Sequence, residues 1–342
     1  MKAVVLVGGE GTRLRPLTYQ TVKAMVPVLD RPFLEHLLHY LARHSIDEVI
    51  LAMGYKPDAI KSYFSHTRLD LPKLVYSVES EPLGTAGAVK HAEQYLDDTF
   101  FVLNGDIFTT IDLDAMLRFH KENKAKVTIA LTPAEDPTRY GIIETDERFR
   151  VKRFVEKPGR DQVTTNNINA GIYILETDVL ERIPGGKRIM FEHDVFPALL
   201  AAGEPIYAYP STAYWIDIGT LEKYHQLNCD LLTGKCLQPG MAPEGTRIHS
   251  DCLIHPDAKI QEPVLIGERC KIGSRVQIVG PSVIGAGCQI EDCAIIVQSI
   301  LWQQVTVGKN AVLRKCIVAS NSYIAASSML EGAAITSEHS NC

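Results

Sequence analysis

The sequence predicts two domains of different class: a Rossmann-like α/β domain whose mostly parallel sheet has helices on both faces, followed by a left-handed parallel β-helix made of hexapeptide repeats. Three observations predict this arrangement. The chain has 342 residues, more than one hydrophobic core usually organises. Short β-rich runs alternate with amphipathic helical patterns up to about residue 230, and isoleucine then recurs every six residues. We therefore expect the domains at residues 1–232 and 245–335.

The α/β prediction depends on five short apolar runs, which indicate buried strands at residues 4–7, 49–53, 74–78, 100–103 and 127–131. Segments 33–41 and 86–96 carry apolar residues on one helical face, and Thr85 is the expected N-cap of the second helix. Such alternation predicts a mostly parallel sheet. Ligands in these folds bind beyond the carboxyl ends of the strands, so the loops that follow the strands are where chemistry is expected.

The β-helix prediction depends on eight isoleucines with a spacing of six residues: Ile254, Ile260, Ile266, Ile272, Ile278, Ile284, Ile290 and Ile296. Trp302 continues this spacing, and glycine follows isoleucine at Gly267, Gly273 and Gly285. A six-residue period is typical of a solenoid in which each hexad supplies one face of a triangular coil. We expect the isoleucines to stack inside and the glycines to lie at the corners, with less regular coils after Trp302.

The composition excludes several classes of function. The formal net charge is −6, which favours neither nucleic acid nor an anionic membrane surface as a partner. No apolar run reaches the roughly 20 residues that span a bilayer, and the N-terminal residues do not resemble a secretory signal, so we expect a cytoplasmic protein. All eight cysteines lie from Cys229 onward without a Cys-x-x-Cys pair, which indicates small buried residues rather than metal ligands or disulfides.

The loop after the first predicted strand is rich in glycine and positive charge. Its three glycines allow backbone N–H groups to approach an anion closely, and its side chains add a hydroxyl and cations. The loop has no Gly-Lys-Ser/Thr ending, so it is not a Walker P-loop. The residues concerned are Gly8, Gly9, Gly11, Thr12, Arg13, Arg15 and, further along, Lys23.

This loop, Gly-Gly-x-Gly-Thr-Arg-Leu-x-Pro-Leu-Thr followed by a lysine, resembles the signature of the sugar nucleotidyltransferases. Members of that family transfer guanylyl, thymidylyl, uridylyl or adenylyl groups to sugar 1-phosphates. One departure is that Val22 and Ala24 flank Lys23, where the family usually has prolines. Further segments resemble family motifs in the family order, within residues 3 to about 225: residues 81–87, 103–106, 140–141, 156–158, 169–171 and 215–220.

The resemblance implies a role for each matching residue. Arg13 would stabilise the β- and γ-phosphates, and Lys23 would contact the α-phosphate or the sugar phosphate. Mg²⁺ is the implied cofactor, with Asp106 and Asp217 as its ligands, since magnesium prefers carboxylate oxygens. The implied nucleotide-binding residues are the loop glycines and Thr12 together with Glu79, Glu81, Gly84 and Thr85. The implied sugar-binding residues are Gly141, Glu156, Lys157 and Asn169.

The implied reaction explains why no catalytic histidine or serine triad is evident. A phosphate monoester has a second pKa of roughly 6, so the attacking oxygen is already ionised at neutral pH. The difficulty is to bring two anionic substrates together, and catalysis is then mostly positioning and charge neutralisation. The expected partners are a nucleoside triphosphate and a hexose 1-phosphate, and a homo-oligomer is expected.

The base and the sugar are less clearly encoded. Guanine presents two adjacent donors that one carboxylate can accept, and Glu79 and Glu81 lie where thymidylyl- and uridylyltransferases tend to carry glutamine. GTP with mannose 1-phosphate is therefore the first choice, and dTTP or UTP with glucose 1-phosphate is the second. Two other classes stay open: an acyltransferase that would use His249 or His255 at the start of the β-helix, and a non-catalytic regulatory subunit.

Overall fold

The computed structural model describes residues 1–66, 70–236 and 246–337, which pack as two compact units. The first unit combines Met1–Glu10 with Leu34–Trp215. The second combines Gly11–Phe33 with the described residues from Ile216 onward. The glycine-rich loop is thus divided between the two units. The domain limits predicted at 1–232 and 245–335 follow the sequence pattern, and they stay a prediction.

The described residues up to residue 236 contain thirteen strands and six α-helices. The strands are β1 (Lys2–Leu6), β2 (Pro27–Val28), β3 (Arg31–Pro32), β4 (Glu48–Met53), β5 (Lys73–Val78), β6 (Phe100–Asn104), β7 (Ile107–Thr109), β8 (Val127–Pro133), β9 (Gly141–Thr145), β10 (Val151–Glu156), β11 (Asn167–Leu175), β12 (Ile206–Pro210) and β13 (Trp215–Asp217). The helices are α1 (Phe33–Arg43), α2 (Pro57–His66), α3 (Gly84–His91), α4 (Leu113–Glu122), α5 (Phe196–Ala201) and α6 (Leu221–Thr233). No helix among the described residues is long and apolar enough to cross a membrane.

The first unit is built on a nine-stranded mixed sheet. Strands β6, β1, β4 and β5 are adjacent and parallel, as predicted. All five predicted strands are present, and the side chains of β1 from Ala3 to Val5 are fully buried. The antiparallel strands β9, β10 and β11 were not predicted: β9 and β10 mix charged and apolar residues, and β11 contains two asparagines and a glycine. The carboxyl ends of β1, β4 and β6 share one edge of the sheet, so the loops that follow these strands, including the glycine-rich loop after β1, start at that edge.

The start of α3 differs from the prediction. The expected N-cap, Thr85, lies inside the first turn of α3, and the helix begins at Gly84 with Leu83 in the N-cap position. Gly84 has a φ of 74°, a conformation in which glycine meets no Cβ penalty, so the chain enters the helix without a side-chain cap. The helix ends at His91, and a separate 3₁₀ turn follows at Glu93–Tyr95.

The second unit contains the β-helix, whose short strands stack in three parallel sheets of six, five and five strands. In chain order the strands are β14 (Arg247–Ile248), β15 (Leu253–Ile254), β16 (Lys259–Gln261), β17 (Val264–Ile266), β18 (Lys271–Ile272), β19 (Gln277–Val279), β20 (Ser282–Ile284), β21 (Gln289–Ile290), β22 (Ile295–Val297), β23 (Ile300–Leu301), β24 (Thr306–Val307), β25 (Val312–Arg314), β26 (Ile317–Val318), β27 (Tyr323–Ile324), β28 (Met329–Glu331) and β29 (Ala334–Ile335).

The isoleucine ladder is confirmed. Ile260 stacks on Ile278 and Ile278 on Ile296, one position per coil of eighteen residues, and Ile278 and Ile296 are fully buried. Parallel pairing places each side chain directly over its equivalent in the next coil, so a repeat of three hexads produces a continuous apolar interior. The β-helix prediction is therefore correct from Ile254 to Ile296.

The expectation that Trp302 continues the ladder is wrong. Ile284 pairs with Leu301, so this coil is one residue shorter than those before it. The backbone N–H groups of Gly267, Gly285 and Trp302 donate in the same way to the next coil, which shows that Trp302 occupies the corner position that glycine takes in earlier coils. Its indole is 7% exposed but lies outside the stacked ladder.

The prediction of buried cysteines holds for four of the seven described cysteines, and Cys229, Cys252 and Cys293 are partly buried. Cys236, Cys270, Cys288 and Cys316 are buried, and the Cys270 and Cys288 thiols donate to the carbonyl oxygens of Gly285 and Trp302 at 3.1 and 3.0 Å. Each thiol is thus a small core group that bonds to the backbone of the next coil.

Candidate active site

The part of the predicted phosphate-binding loop from Gly11 onward belongs to the second unit and is held by short-range packing. Gly11 has a φ of 66°, and a Cβ at this position would lie 3.0 Å from the Cβ of Lys23. The Thr18 hydroxyl donates to the Gly11 carbonyl at 2.8 Å, and Leu14 is fully buried. Thr12, Arg13 and Leu14 form a 3₁₀ turn between these anchors. The loop therefore places Thr12, Arg13 and Lys23 on one short stretch of ordered backbone.

The same unit brings Arg13 to the predicted metal residue Asp217. A Cβ on Gly219 would lie 3.0 Å from Arg13 Nη2 and 2.5 Å from Asp217 Oδ1, so only glycine fits between the two side chains. The Gly219 N–H donates to Asp217 Oδ1 at 2.9 Å, and Lys223 Nζ donates to Asp217 Oδ2 at 2.5 Å. The sequence analysis did not single out Lys223, because its pairing depends on how α6 starts, four residues after Asp217.

Asp106 lies just beyond the carboxyl end of β6 in the first unit. The preceding Gly105 donates its N–H to the Leu6 carbonyl at 2.9 Å, and a Cβ at Gly105 would lie 2.6 Å from that oxygen. This close approach fixes Asp106 beside the end of β1, where Gly8 and Gly9 begin the glycine-rich loop. A strand-end carboxylate beside a predicted phosphate-binding loop suits a divalent cation.

The predicted base-recognition residues differ in their surroundings. Glu79 follows β5 and is half-buried, its Oε2 accepts the Leu83 N–H at 3.2 Å, and a Cβ on Gly8 would lie 3.1 Å from its Oε1. Burial raises the pKa of the Glu79 carboxyl above its ordinary value, and the Leu83 hydrogen bond opposes this shift. Glu81 is exposed. Of the two carboxylates, Glu79 is the one fixed against the glycine-rich loop.

Three of the four predicted sugar-binding residues lie at one end of the β9–β10 pair, and Asn169 lies in β11. Gly141 lies opposite Glu156, and a Cβ at Gly141 would lie 2.6 Å from Glu156 Oε2. Lys157 has a φ of 45° and an exposed side chain, with Nζ 3.8 Å from Glu156 Oε1. Burial, followed by the negative charge of Glu192, raises the pKa of the Glu156 carboxyl, and the positive charge of Lys157 partly opposes this.

A hydrogen-bonded chain links Thr85, predicted to bind the nucleotide, to Asn169, predicted to bind the sugar. The Thr85 hydroxyl donates to Glu192 at 3.0 Å, the buried Tyr173 hydroxyl donates to the same carboxylate at 3.3 Å, and Asn169 Nδ2 donates to the Tyr173 oxygen at 2.9 Å. Asn169 Oδ1 accepts the Gly171 N–H at 2.9 Å. Sequence reasoning missed Glu192. It lies in a single π-helical turn, Phe191–Val195, and such turns often occur at functional sites.

A separate cluster of possible metal ligands lies elsewhere in the first unit. One oxygen or nitrogen atom from each of His44, Asp112 and Asp114 lies within 4.8 Å of the others. His44 Nδ1 is 2.9 Å from Asp114 Oδ2, and the Asp112 side chain accepts the Ala115 N–H as the N-cap of α4. These contacts account for the cluster as a surface ion pair and a helix cap.

Two family profiles match the chain. The nucleotidyl transferase family matches residues 2–234, and the eIF2B subunit epsilon LbH domain, a left-handed β-helix, matches residues 245–341. A mannose-1-phosphate guanylyltransferase of Mycobacterium tuberculosis is 39% identical over 300 residues, covering 84% of this chain and 82% of the relative. Mannose-1-phosphate guanylyltransferase 1 of Arabidopsis thaliana is 34% identical over 99% of this chain and 91% of its own length. A UTP–glucose-1-phosphate uridylyltransferase of Synechocystis is 32% identical over 92% and 86%.

Solved structures agree with these sequence matches. The crystal structure of HddC from Yersinia pseudotuberculosis superposes with a TM-score of 0.58 at 33% identity, covering 66% of this chain and 97% of HddC. A second HddC structure, in complex with GMP-PN, matches equally well. The matched profile covers the strands and loops that carry the candidate site residues, and the chain belongs to the nucleotidyl transferase family.

Proposed function

We propose that this chain condenses GTP with mannose 1-phosphate, producing GDP-mannose and pyrophosphate. The observation that carries the proposal is the contact of Arg13 with the Asp217–Gly219 segment, since a cation for phosphate and a carboxylate for metal meet there. The names of the Mycobacterium and Arabidopsis relatives support the choice of substrates. The HddC complex with GMP-PN supports a guanine nucleotide.

The proposed mechanism needs cations rather than a general base. An oxygen of the sugar phosphate forms a bond to the α-phosphorus of GTP, the bond to the bridging oxygen breaks, and that oxygen leaves on pyrophosphate. The attacking phosphate is largely dianionic at neutral pH. Arg13 stabilises the negative charge that builds on pyrophosphate, and Lys23 holds the phosphates in line for attack. Both act by positioning and charge neutralisation in a site arranged beforehand.

The residues present fit a magnesium ion. Asp106 and Asp217 are strand-end carboxylates, and Asp217 is held in place by Lys223 and the Gly219 N–H. Carboxylate oxygens are the protein ligands that Mg²⁺ prefers. When bound, the ion would neutralise phosphate charge. We further propose a homo-oligomer, which light scattering on the purified chain would detect.

Glu79 is proposed to read guanine. Replacing Glu79 with glutamine should reduce the preference for GTP over UTP, measured as a ratio of kcat/KM values, by about 1–3 kcal/mol or roughly 5- to 150-fold. Glu81→Gln is the matched control, because it makes the same change two residues away on an exposed side chain. If only the Glu81 variant loses the preference, Glu81 reads the base. If neither does, the proposed carboxylate contact is wrong.

Glu156 gives the proposed sugar site a pH dependence. Its ionised carboxylate accepts hydrogen bonds from sugar hydroxyls, so sugar affinity is complete above its folded pKa and is lost as the pH falls through that value. Because burial and Glu192 raise this pKa, the loss begins at a higher pH than for an ordinary glutamate. Below this pKa, KM for mannose 1-phosphate should rise about tenfold for each unit by which the pH falls, and the profile is measured between about pH 4.5 and 8.

Glu192→Gln separates this titration from that of the substrate. The substitution removes the negative charge beside Glu156, so the rise in KM should move to lower pH. The substrate phosphate, with a pKa of roughly 6, titrates independently of the protein variant. If the profile stays in place in Glu192→Gln, then Glu156 is not the titrating group.

Pyrophosphate release tests the function. The protein is incubated with Mg²⁺ and each pairing of GTP, dTTP, UTP, ATP or CTP with mannose or glucose 1-phosphate. Release that requires both substrates and is fastest with GTP and mannose 1-phosphate is the expected result. UTP with glucose 1-phosphate is the second candidate, which the Synechocystis relative favours. If none of the substrate pairs releases pyrophosphate, the catalytic proposal is wrong and a regulatory subunit is favoured.

A further inference from the structure

We infer that Trp302 and Tyr224 are positioning residues through which the β-helix fixes the loop that carries Lys23. The inference rests on the proposed function in one respect, the role of Lys23 as a phosphate-binding cation. Both residues and the loop belong to the second unit, and the hydrogen bond that joins Trp302 to Tyr224 is buried. The β-helix would then contribute to the reaction as well as to assembly.

We call the hydrogen bonds from Trp302 through Tyr224 to Pro27 the relay. The relay starts at the short coil of the β-helix. Because the repeat loses one residue there, Trp302 takes the corner position of Gly267 and Gly285 and its side chain leaves the stacked interior. Its indole Nε1 donates to the Tyr224 hydroxyl at 2.9 Å, and the two rings meet edge to face with centroids 6.5 Å apart. In a regular eighteen-residue coil Trp302 would pair with Ile284 in the interior ladder. The shortened coil pairs Ile284 with Leu301 instead, and this places Trp302 where it contacts Tyr224.

The relay continues from α6 into the loop. The fully buried Tyr224 hydroxyl donates to the carbonyl oxygen of Pro27, four residues after Lys23. One turn further along α6, Asn228 Oδ1 accepts the Leu29 N–H at 2.7 Å, and Asn228 is 1% exposed. Burial raises the pKa of the Tyr224 hydroxyl, so the group stays protonated and keeps its donor. Two consecutive turns of α6 thus hold the loop at Pro27 and at Leu29.

The loop is tightly tied to Lys23 itself. Lys23–Met25 forms a 3₁₀ turn closed by the Val26 N–H bonding to the Lys23 carbonyl, and Val26 is fully buried. A shift at Pro27 is therefore transmitted to Lys23 through three ordered residues. A cleft of about 690 Å³, lined by Pro27 and Leu29 at one side and by Trp302 at another, leaves room for such a shift. Small misplacements of a charge-neutralising group cost much turnover.

The inference is tested with Trp302→Phe and Tyr224→Phe, which remove the N–H and the hydroxyl but keep aromatic packing. Tyr323→Phe is the matched control, because it makes the same change on an exposed tyrosine of the β-helix. Hydrogen exchange followed by mass spectrometry reports on the loop, where the Met25, Val26 and Leu29 amides are hydrogen-bonded. We expect about tenfold faster exchange over residues 22–29 in both relay variants and no change in the control. Unchanged exchange in both variants would overturn the inference.

A double-mutant cycle tests the effect on the reaction. Tyr224→Phe should lower kcat about tenfold in the otherwise unchanged protein and have little effect in a Lys23→Ala background, because the relay acts through Lys23. A purely structural role predicts the same fold-change in both backgrounds, and that result would overturn the inference. If the unsubstituted protein shows no turnover, the proposed function fails, and hydrogen exchange still decides the relay. If Tyr224→Phe does not fold, Trp302→Phe enters the same cycle.

Discussion

Replacing Arg13 or Lys23 with alanine is expected to lower kcat by about 10²–10³-fold. Arg13 Nη2 lies close to Gly219, and the first side-chain carbons of Lys23 lie close to Gly11, so both cations start from ordered backbone. A preorganised cation needs no reorganisation when negative charge builds on pyrophosphate, which makes its removal costly. Initial rates of pyrophosphate release at saturating substrate measure the effect.

Lys309→Ala is the control for these substitutions. Lys309 is an exposed lysine of the β-helix, and removing it changes the net charge by the same amount. We expect its kcat to match that of the unsubstituted protein. If kcat decreases by less than tenfold in both Arg13→Ala and Lys23→Ala, the assignment of these residues to the phosphates is wrong. Thermal unfolding of each variant establishes that the protein is folded.

Replacing Asp106 with asparagine is expected to reduce turnover by about 10³-fold, which is several kcal/mol, because it removes a charged ligand of the proposed Mg²⁺ site. Asparagine keeps the size of the side chain, so the tight packing of Gly105 against Leu6 stays intact. Binding of Mn²⁺, followed by electron paramagnetic resonance, reports on the site without turnover. It should weaken in Asp106→Asn and in Asp217→Asn.

Asp97→Asn is the control for the metal site. Asp97 is an exposed carboxylate that pairs with Lys2, and surface pairs of this kind contribute little. Its Mn²⁺ affinity and turnover should be unchanged. Unchanged Mn²⁺ affinity in both Asp106→Asn and Asp217→Asn would place the metal elsewhere, and the His44 cluster would be the next set of ligands to test.

The fold could be predicted where a period repeats. The hexads from Ile254 to Ile296 determine the β-helix, because parallel stacking gives each position the same environment in every coil. The shortening of the next coil could not be foreseen, since Trp302 is apolar and satisfies the period by identity alone. The packing of Gly11–Phe33 with the second unit could not be predicted from the sequence either. It depends on contacts between residues far apart in the chain, such as Leu29 and Asn228, which are 199 residues apart.

The candidate site was predicted in part. Local motifs identified the residues of the glycine-rich loop and the strand-end carboxylates. They could not identify Glu192 or Lys223, because the contacts of these residues with Thr85, Tyr173 and Asp217 form only in three dimensions. The prediction that Thr85 is the N-cap of α3 was wrong for the same reason. A hydroxyl before a helix suggests a cap, but Gly84, with a positive φ, starts the helix, and the Thr85 hydroxyl donates to Glu192 instead.

The fate of the two labelled ends of GTP decides whether the guanylyl group is transferred to mannose 1-phosphate. The protein is given Mg²⁺, mannose 1-phosphate and GTP that carries radioactive phosphorus at either the α- or the γ-position. We expect the α-label in GDP-mannose and the γ-label in pyrophosphate, in equal amounts and only when the sugar phosphate is present. Release of the γ-label as orthophosphate, or retention of both labels in unreacted GTP, would contradict this expectation.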